Sequence, residues 1–240
     1  MKKTIAVCCL IFLLSCKKEA EFEPIVWHNY DEQTELEAQL THENRRMRYK
    51  LLYSKVYDRN LIWRSFDEAL ADFDEAHYET LKPLILEQSI PQLQESVENG
   101  LLTYEDLTKF YIYRIRKYES DSALALNALI SLNPTAIKEA RERDQSRKPG
   151  QHPIFGMPIL LKDNVGFEGL PTTAGAAVLM ENYAPDAFIT KQLEKNGAVI
   201  MGKANLSEWA YYMSRGCPVG NSAEGGQTLN PYGRKKIESG

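Results

Sequence analysis

Glycine and proline are spread unevenly along the 240 residues, and this constrains the fold more than any other feature. Between Asp31 and Lys82 there is neither. Within that stretch Leu36, Leu40, Met47, Leu51, Phe66, Leu70 and Phe73 recur at three- and four-residue steps among charges, which predicts amphipathic helix serving as a packing layer. From Pro149 onward Gly and Pro become frequent. The apolar residues there fall into short runs, Pro158–Leu161 and Ala198–Met201, with a capped helix from Asp186 to Asn196-Gly197 between them. Short apolar strands alternating with a helix predict an α/β core.

The intervening segment carries local signals. Ser89-Ile90-Pro91-Gln92 combines a capping serine, a first-turn proline and a glutamine three residues on, and Asn99-Gly100 stops that helix. A second helix is expected after Thr103, with Leu107, Tyr111, Ile115 and Tyr118 on one face. Leu124, Leu126, Ala128, Ile130 and Leu132 take every second position, which suits a strand, and Asn133-Pro134 caps a third helix to about Gln145. No internal repeat is evident.

The first residues are not part of this pattern. Met1-Lys2-Lys3 is a basic head, Ile5 to Leu14 is almost wholly apolar, and Ser15-Cys16 precedes the charges of Lys17, Lys18 and Glu19. Such an arrangement reads as an export signal. About ten apolar residues rise roughly 15 Å as a helix, half the thickness of a bilayer core, so the segment is too short for a permanent span. Leu13-Leu14-Ser15-Cys16 resembles the bacterial lipobox, in which the cysteine is acylated and becomes the new N-terminus. Cys8 and Cys9 would leave with the signal, an acylated Cys16 leaves Cys217 without an intrachain partner, and no disulfide is expected. The expected location is the bacterial cell envelope, with the membrane as a partner through the lipid.

Composition excludes several classes. With 43% hydrophobic and 26% charged residues the chain is neither a membrane channel nor a disordered polymer. A net charge of -4 and a pI near 5.7 leave no basic surplus for nucleic acid. His28, His42, His77 and His152 are scattered among polar residues with no Cys or carboxylate at ligand spacing, so no metal site is expected.

One residue carries chemistry. Lys162 ends the apolar run from Pro158, and a lysine at the mouth of a buried strand can lose its proton by desolvation and act as a base. Ile159-Leu160-Leu161 are expected to carry its amine into a poorly solvated site. Ser207, Ser214 and Ser222 have no histidine partner, Gly-x-Ser-x-Gly elbow or Ser-x-x-Lys pattern, and are expected to be structural.

Lys162-Asp163-Asn164, Gly169–Gly175, Asp186-Ala187, Gly197–Trp209 and Gly225–Pro231 stand in an order that resembles the amidase signature family, over about Leu84 to Gly240. The resemblance implies a mixed central sheet flanked by helices. It also implies a serine hydrolase with a Ser-cisSer-Lys triad that needs no cofactor and takes a small-molecule or peptide amide. Lys162 matches the family's lysine, and both catalytic serines are expected beyond residue 240, in a chain read as truncated. By the same resemblance Trp209, Ala210 and Met213 line the acyl pocket, while Gly226 and Gln227 bring backbone close to the substrate. The expected organisation is a signal over 1–15, a tether over 16–30, a helical region over 31–83 and the N-terminal portion of an amidase domain over 84–240. The alternatives are a non-catalytic lipoprotein binding module on the same fold and an amidotransferase-type relative.

Overall fold

The computed structural model describes residues 24–44, 48, 60–212 and 219–233. Met47, Leu51, Cys16, Met213 and Cys217 lie outside them, as does the whole segment read above as an export signal. Among the described residues no helix is long and apolar enough to cross a membrane.

The N-terminal layer is helical but broken. Helices α1 (Gln33–Gln39), α2 (Asn60–Trp63) and α3 (Glu75–Ile85) are short, and a 3-10 turn over Arg64–Phe66 follows α2. The expected stripe divides accordingly. Phe66, Leu70 and Phe73 are buried, whereas α1 buries nothing and Leu40 is exposed. Asp74 caps α3 by accepting the His77 N–H at 2.9 Å, and the helix runs through Pro83 to Ile85.

Helix α4 (Ile90–Glu98) begins at the expected capping box, and α5 (Tyr104–Glu119) begins at a second one formed by Thr103 and Asp106. Two further amides of α5, those of Tyr104 and Glu105, donate to the Asp144 carboxylate at 2.9 and 3.0 Å. That carboxylate comes from helix α6 (Ala136–Ser146), so α6 closes the first turn of its neighbour. The buried side of α5 coincides with the expected one only in part. Leu107, Phe110 and Ile112 are fully buried, and Tyr111 and Ile115 are only partly covered, because α5 packs on both α3 and α6.

The strand expected over 124–132 is shorter. Strand β1 covers Leu129–Leu132, and Leu124 is exposed. Before it the Glu119 carboxylate collects the N–H groups of Leu126, Asn127 and Ala128 at 3.3, 3.0 and 3.1 Å. Asn127 turns to φ 52°, so the backbone is committed to a side-chain acceptor there and cannot extend.

Strands β2 (Pro158–Lys162) and β3 (Val199–Ala204) run parallel, joined through helix α7 (Phe188–Lys195), and β1 pairs antiparallel with β3 on its other side. The sheet order is β1-β3-β2, a mixed sheet with helices packed on it, as expected. A register irregularity between Ile159 and Leu160 sets Leu161 opposite Lys203 and Lys162 opposite Ala204. Leu161 packs with Phe167, Leu170 and Ile200 beneath α7's Leu193, while Val199 and Met201 join the larger core under the helices. A two-stranded ribbon, β4 (Asn221–Ser222) and β5 (Gly226–Gln227), completes the fold.

Candidate active site

Parallel strands present their carboxyl ends together, and open α/β sheets place ligands beyond such ends. Here Lys162 and Ala204 mark that end, and three loops gather on it. Asp163, directly after Lys162, anchors the first. Its N–H donates to Ala204 O at 3.1 Å and its carbonyl accepts from Ala174 N at 3.1 Å. Its carboxylate Oδ2 accepts the N–H groups of Thr173 and Gly175 at 3.2 Å each, and the Thr173 hydroxyl.

Asn205, just past β3, holds the second and third loops. Its Nδ2 donates to Asn127 O at 2.8 Å and Gly226 O at 3.2 Å. Its Oδ1 accepts Leu206 N at 2.8 Å and the Ser222 hydroxyl at 2.7 Å. Gly225 lies so close that a Cβ there would sit 2.4 Å from Asn205 Cγ. The residue has to be glycine for that reason.

Lys162 itself is exposed. It shares a strand face with Leu160, which is 39% exposed, while Ile159 and Leu161 turn to the covered face. The expectation of a poorly solvated amine is therefore not met within the described residues. The face of edge strand β2 that carries it is open. The deeply buried lysine is Lys203, which sequence reasoning passed over. Lys203 and Asp163 are both 0% exposed, and Lys203 Nζ donates to Val165 O at 2.7 Å and Thr172 Oγ1 at 3.0 Å. Asp163 Oδ1 faces it at 3.7 Å. Burial pushes the Lys203 pKa down, against the opposing pull of Asp163. Nearby Glu224 is pushed up, by burial first and then by the charge of Asp163. Lys203 could have been singled out only by seeing that its partner on β2 is the buried Leu161.

The remaining expected residues divide. Trp209 reaches the cluster through its N–H, which donates to Ala174 O at 2.9 Å, and the residue is 39% exposed. The segment after Ser207 is a 3-10 turn, in which Trp209, Ala210 and Tyr211 take φ values of 52°, 52° and 71°. Three consecutive non-glycine residues in the left-handed region are costly and mark a constrained loop. Gly226 sits in β5 at φ 74°. Gln227 is fully buried, and its Nε2 donates to Val219 O at 2.8 Å and Thr228 O at 2.9 Å, so the side chain holds the ribbon. Ser207 accepts Gly220 N at 2.8 Å and Ser222 accepts Gly225 N at 2.8 Å, the structural work expected of them. A cavity of about 800 Å³ lined by Gln94, Tyr104, Arg147 and Phe155 lies toward the other end of β2 from Lys162.

The amidase family model matches residues 106–240, which contain every loop of this cluster. The chain belongs to the amidase family. Among curated proteins, a Schizosaccharomyces pombe protein named for an expected amidase activity is 38% identical over 148 residues, 60% of this chain and 25% of that protein. An amidase family protein of known structure from Bacillus anthracis superposes with a TM-score of 0.71 at 36% identity, over 78% of this chain and 37% of that one. The peptide amidase of Stenotrophomonas maltophilia gives 0.59 at 41% identity, over 61% and 30%. This amidase-family chain thus spans between a quarter and two fifths of the length of these relatives.

Proposed function

We propose that the complete protein is an amidase that hydrolyses a carboxamide to the acid and ammonia or an amine through a serine acyl-enzyme. Lys162 is its general base. The observation that carries this is the placing of Lys162 at the carboxyl end of β2, on an open face, beside the loop that Asp163 anchors at residues 173–175. The nucleophilic serine and the serine that relays its proton belong to sequence following residue 240. Trp209, Ala210 and Met213 contribute to the acyl pocket, and Gly226 and Gln227 bring backbone close to the substrate. The likeness to a peptide amidase makes a peptide amide the first substrate to test.

The same reading places the enzyme in the bacterial cell envelope, acylated at Cys16. Mass spectrometry of the mature protein should find residue 16 at the N-terminus, lipid-modified, and Cys16→Ser should abolish lipid incorporation. A different mature N-terminus rejects the anchor and leaves the amidase reading intact. For the activity, the full-length protein should release ammonia from a peptide amide and react with a fluorophosphonate at one serine. Labelling of the 240-residue chain alone at a serine would overturn the proposal that the nucleophile lies outside it.

A further inference from the structure

We propose that the cavity at the far end of β2 from Lys162 binds a short peptide with both termini free, its ammonium on an acidic wall and its carboxylate on a basic one. The cavity is about 800 Å³, within the range that takes ligands of that size. Glu95 and Glu98 line it from α4, one turn apart. Arg147, Lys148 and His152 line it from the segment that follows α6. Among the described residues no ion pair joins the two sets. Both signs nevertheless act on one group at the floor. Burial raises the Tyr104 pKa, the Arg147 guanidinium opposes that rise, and Glu98 adds to it. Opposite charges that reach a common hydroxyl and leave each other unpaired are matched by a ligand that carries both signs.

The walls are fixed before any ligand arrives. Gln94 Nε2 donates to Pro153 O at 2.8 Å and Phe155 O at 2.9 Å, while its Oε1 accepts the Tyr104 hydroxyl at 2.7 Å. That one side chain ties α4 to the loop and to α5. Gln151 accepts Lys148 N at 2.9 Å, and Pro149 and Pro153 stiffen the turn on either side of it. Arg147 commits Nη1 to Val97 O, and its other N–H groups have no described partner. His152 Nδ1 accepts Ile154 N at 3.2 Å, which leaves Nε2 as the ring's donor. Tyr104 and Phe155, edge to face at 5.8 Å, give an apolar floor for a side chain. Donors held in place lower the ordering cost of binding. A bare phosphate would meet Glu95 and Glu98, and a polyamine would meet Arg147 and Lys148, so ligands of a single sign are disfavoured. On the reading proposed above, the ligand is of the class that hydrolysis of a peptide amide releases, whose new carboxylate the substrate lacks.

The test is calorimetric titration of the full-length protein carrying Lys162→Ala, so that amide probes are bound and not hydrolysed. The probes are the tripeptide Ala-Phe-Ala, its N-acetyl form, its C-terminal amide and inorganic phosphate. The free tripeptide should bind, and each capped form should bind about tenfold more weakly, the loss of one charge-assisted contact. Arg147→Met should weaken the free tripeptide about tenfold and abolish its advantage over the amide, while the penalty for acetylation stays. Glu95→Gln with Glu98→Gln should do the converse. These side chains are exposed, so the variants should keep the fold. Lys148→Met, which leaves the Arg147 bond to Val97 O in place, repeats the first arm if Arg147→Met does not fold. No binding of the free tripeptide, equal binding of the capped forms, or phosphate binding as tightly would overturn the proposal. So would preferences that survive both cavity variants, because the peptide would then sit elsewhere. Ammonia released during the amide titration would count against Lys162 as the base, a separate failure, and the free and acetylated probes would still decide the binding.

Discussion

Asn205→Leu replaces the side chain that joins three loops with one of similar size and no polar atoms. Four partners lose a bond: Asn127 O, Gly226 O, Leu206 N and the Ser222 hydroxyl. Two of them keep another partner, since Asn127 O still accepts the Thr228 hydroxyl at 3.3 Å and Ser222 still accepts Gly225 N at 2.8 Å. Gly226 O and Leu206 N lose the side-chain partner that the structure gives them. An unsatisfied buried group costs about 1–3 kcal/mol, and the Gly226 bond at 3.2 Å is the weaker of the two, so a loss of about 3 kcal/mol follows. Urea denaturation of the full-length protein measures it as a fall in midpoint with an unchanged slope. Gly225→Ala should be destabilising by a different route, because its Cβ would overlap the Asn205 amide. Joined with Asn205→Ala, which vacates that space, it should cost clearly less than the sum of the two single changes. A loss below about 1 kcal/mol for Asn205→Leu, or strict additivity of that pair, would refute the view that Asn205 is what holds the loops together.

Two further predictions concern stability. Asp144→Ala should cost about 1–2 kcal/mol by uncapping α5, measurable by thermal melting, with Asp144→Asn losing less. The Glu105 carboxyl is held below its usual range, first by the Arg141 guanidinium, which donates twice at 2.8 Å, and also by Lys109. A depressed folded value means that its contribution is present above the unfolded pKa and is lost as pH falls through the folded one. Glu105→Gln should accordingly lower the melting temperature at pH 7, and the gap to wild type should close progressively below about pH 4.

Local chemistry made the caps legible in advance. Ser89 with Gln92, Thr103 and the Asn196-Gly197 stop act within a few residues of themselves, so the sequence around them contains the whole cause. The parallel strands were also legible, because β2 and β3 are apolar runs with no competing partner. The start of β1 was not. Alternation from Leu124 looks like a strand until Glu119 takes three amides, and no period in the sequence announces that acceptor. The same limit applies at the site. Lys162 stood out by motif, yet its open face follows from being on an edge strand. The burial of Lys203 follows from a register irregularity that sets it opposite Leu161, on the covered side of the sheet. Glycines such as Gly225 could be located but not explained, since what excludes a side chain there is Asn205, twenty residues away in sequence.

The most direct measurement is turnover of a peptide amide by the full-length protein, compared among wild type, Lys162→Ala and Lys162→Arg across pH. Wild-type kcat/KM should rise with pH to a plateau as the amine deprotonates. Lys162→Ala should remain folded and fall about 10²- to 10⁴-fold below that plateau, the range for removal of a positioned general base. Lys162→Arg should fail equally, because a guanidinium stays protonated and cannot accept a proton. Near wild-type turnover by either variant would contradict the assignment of Lys162 and leave a chain of the amidase family whose work is binding.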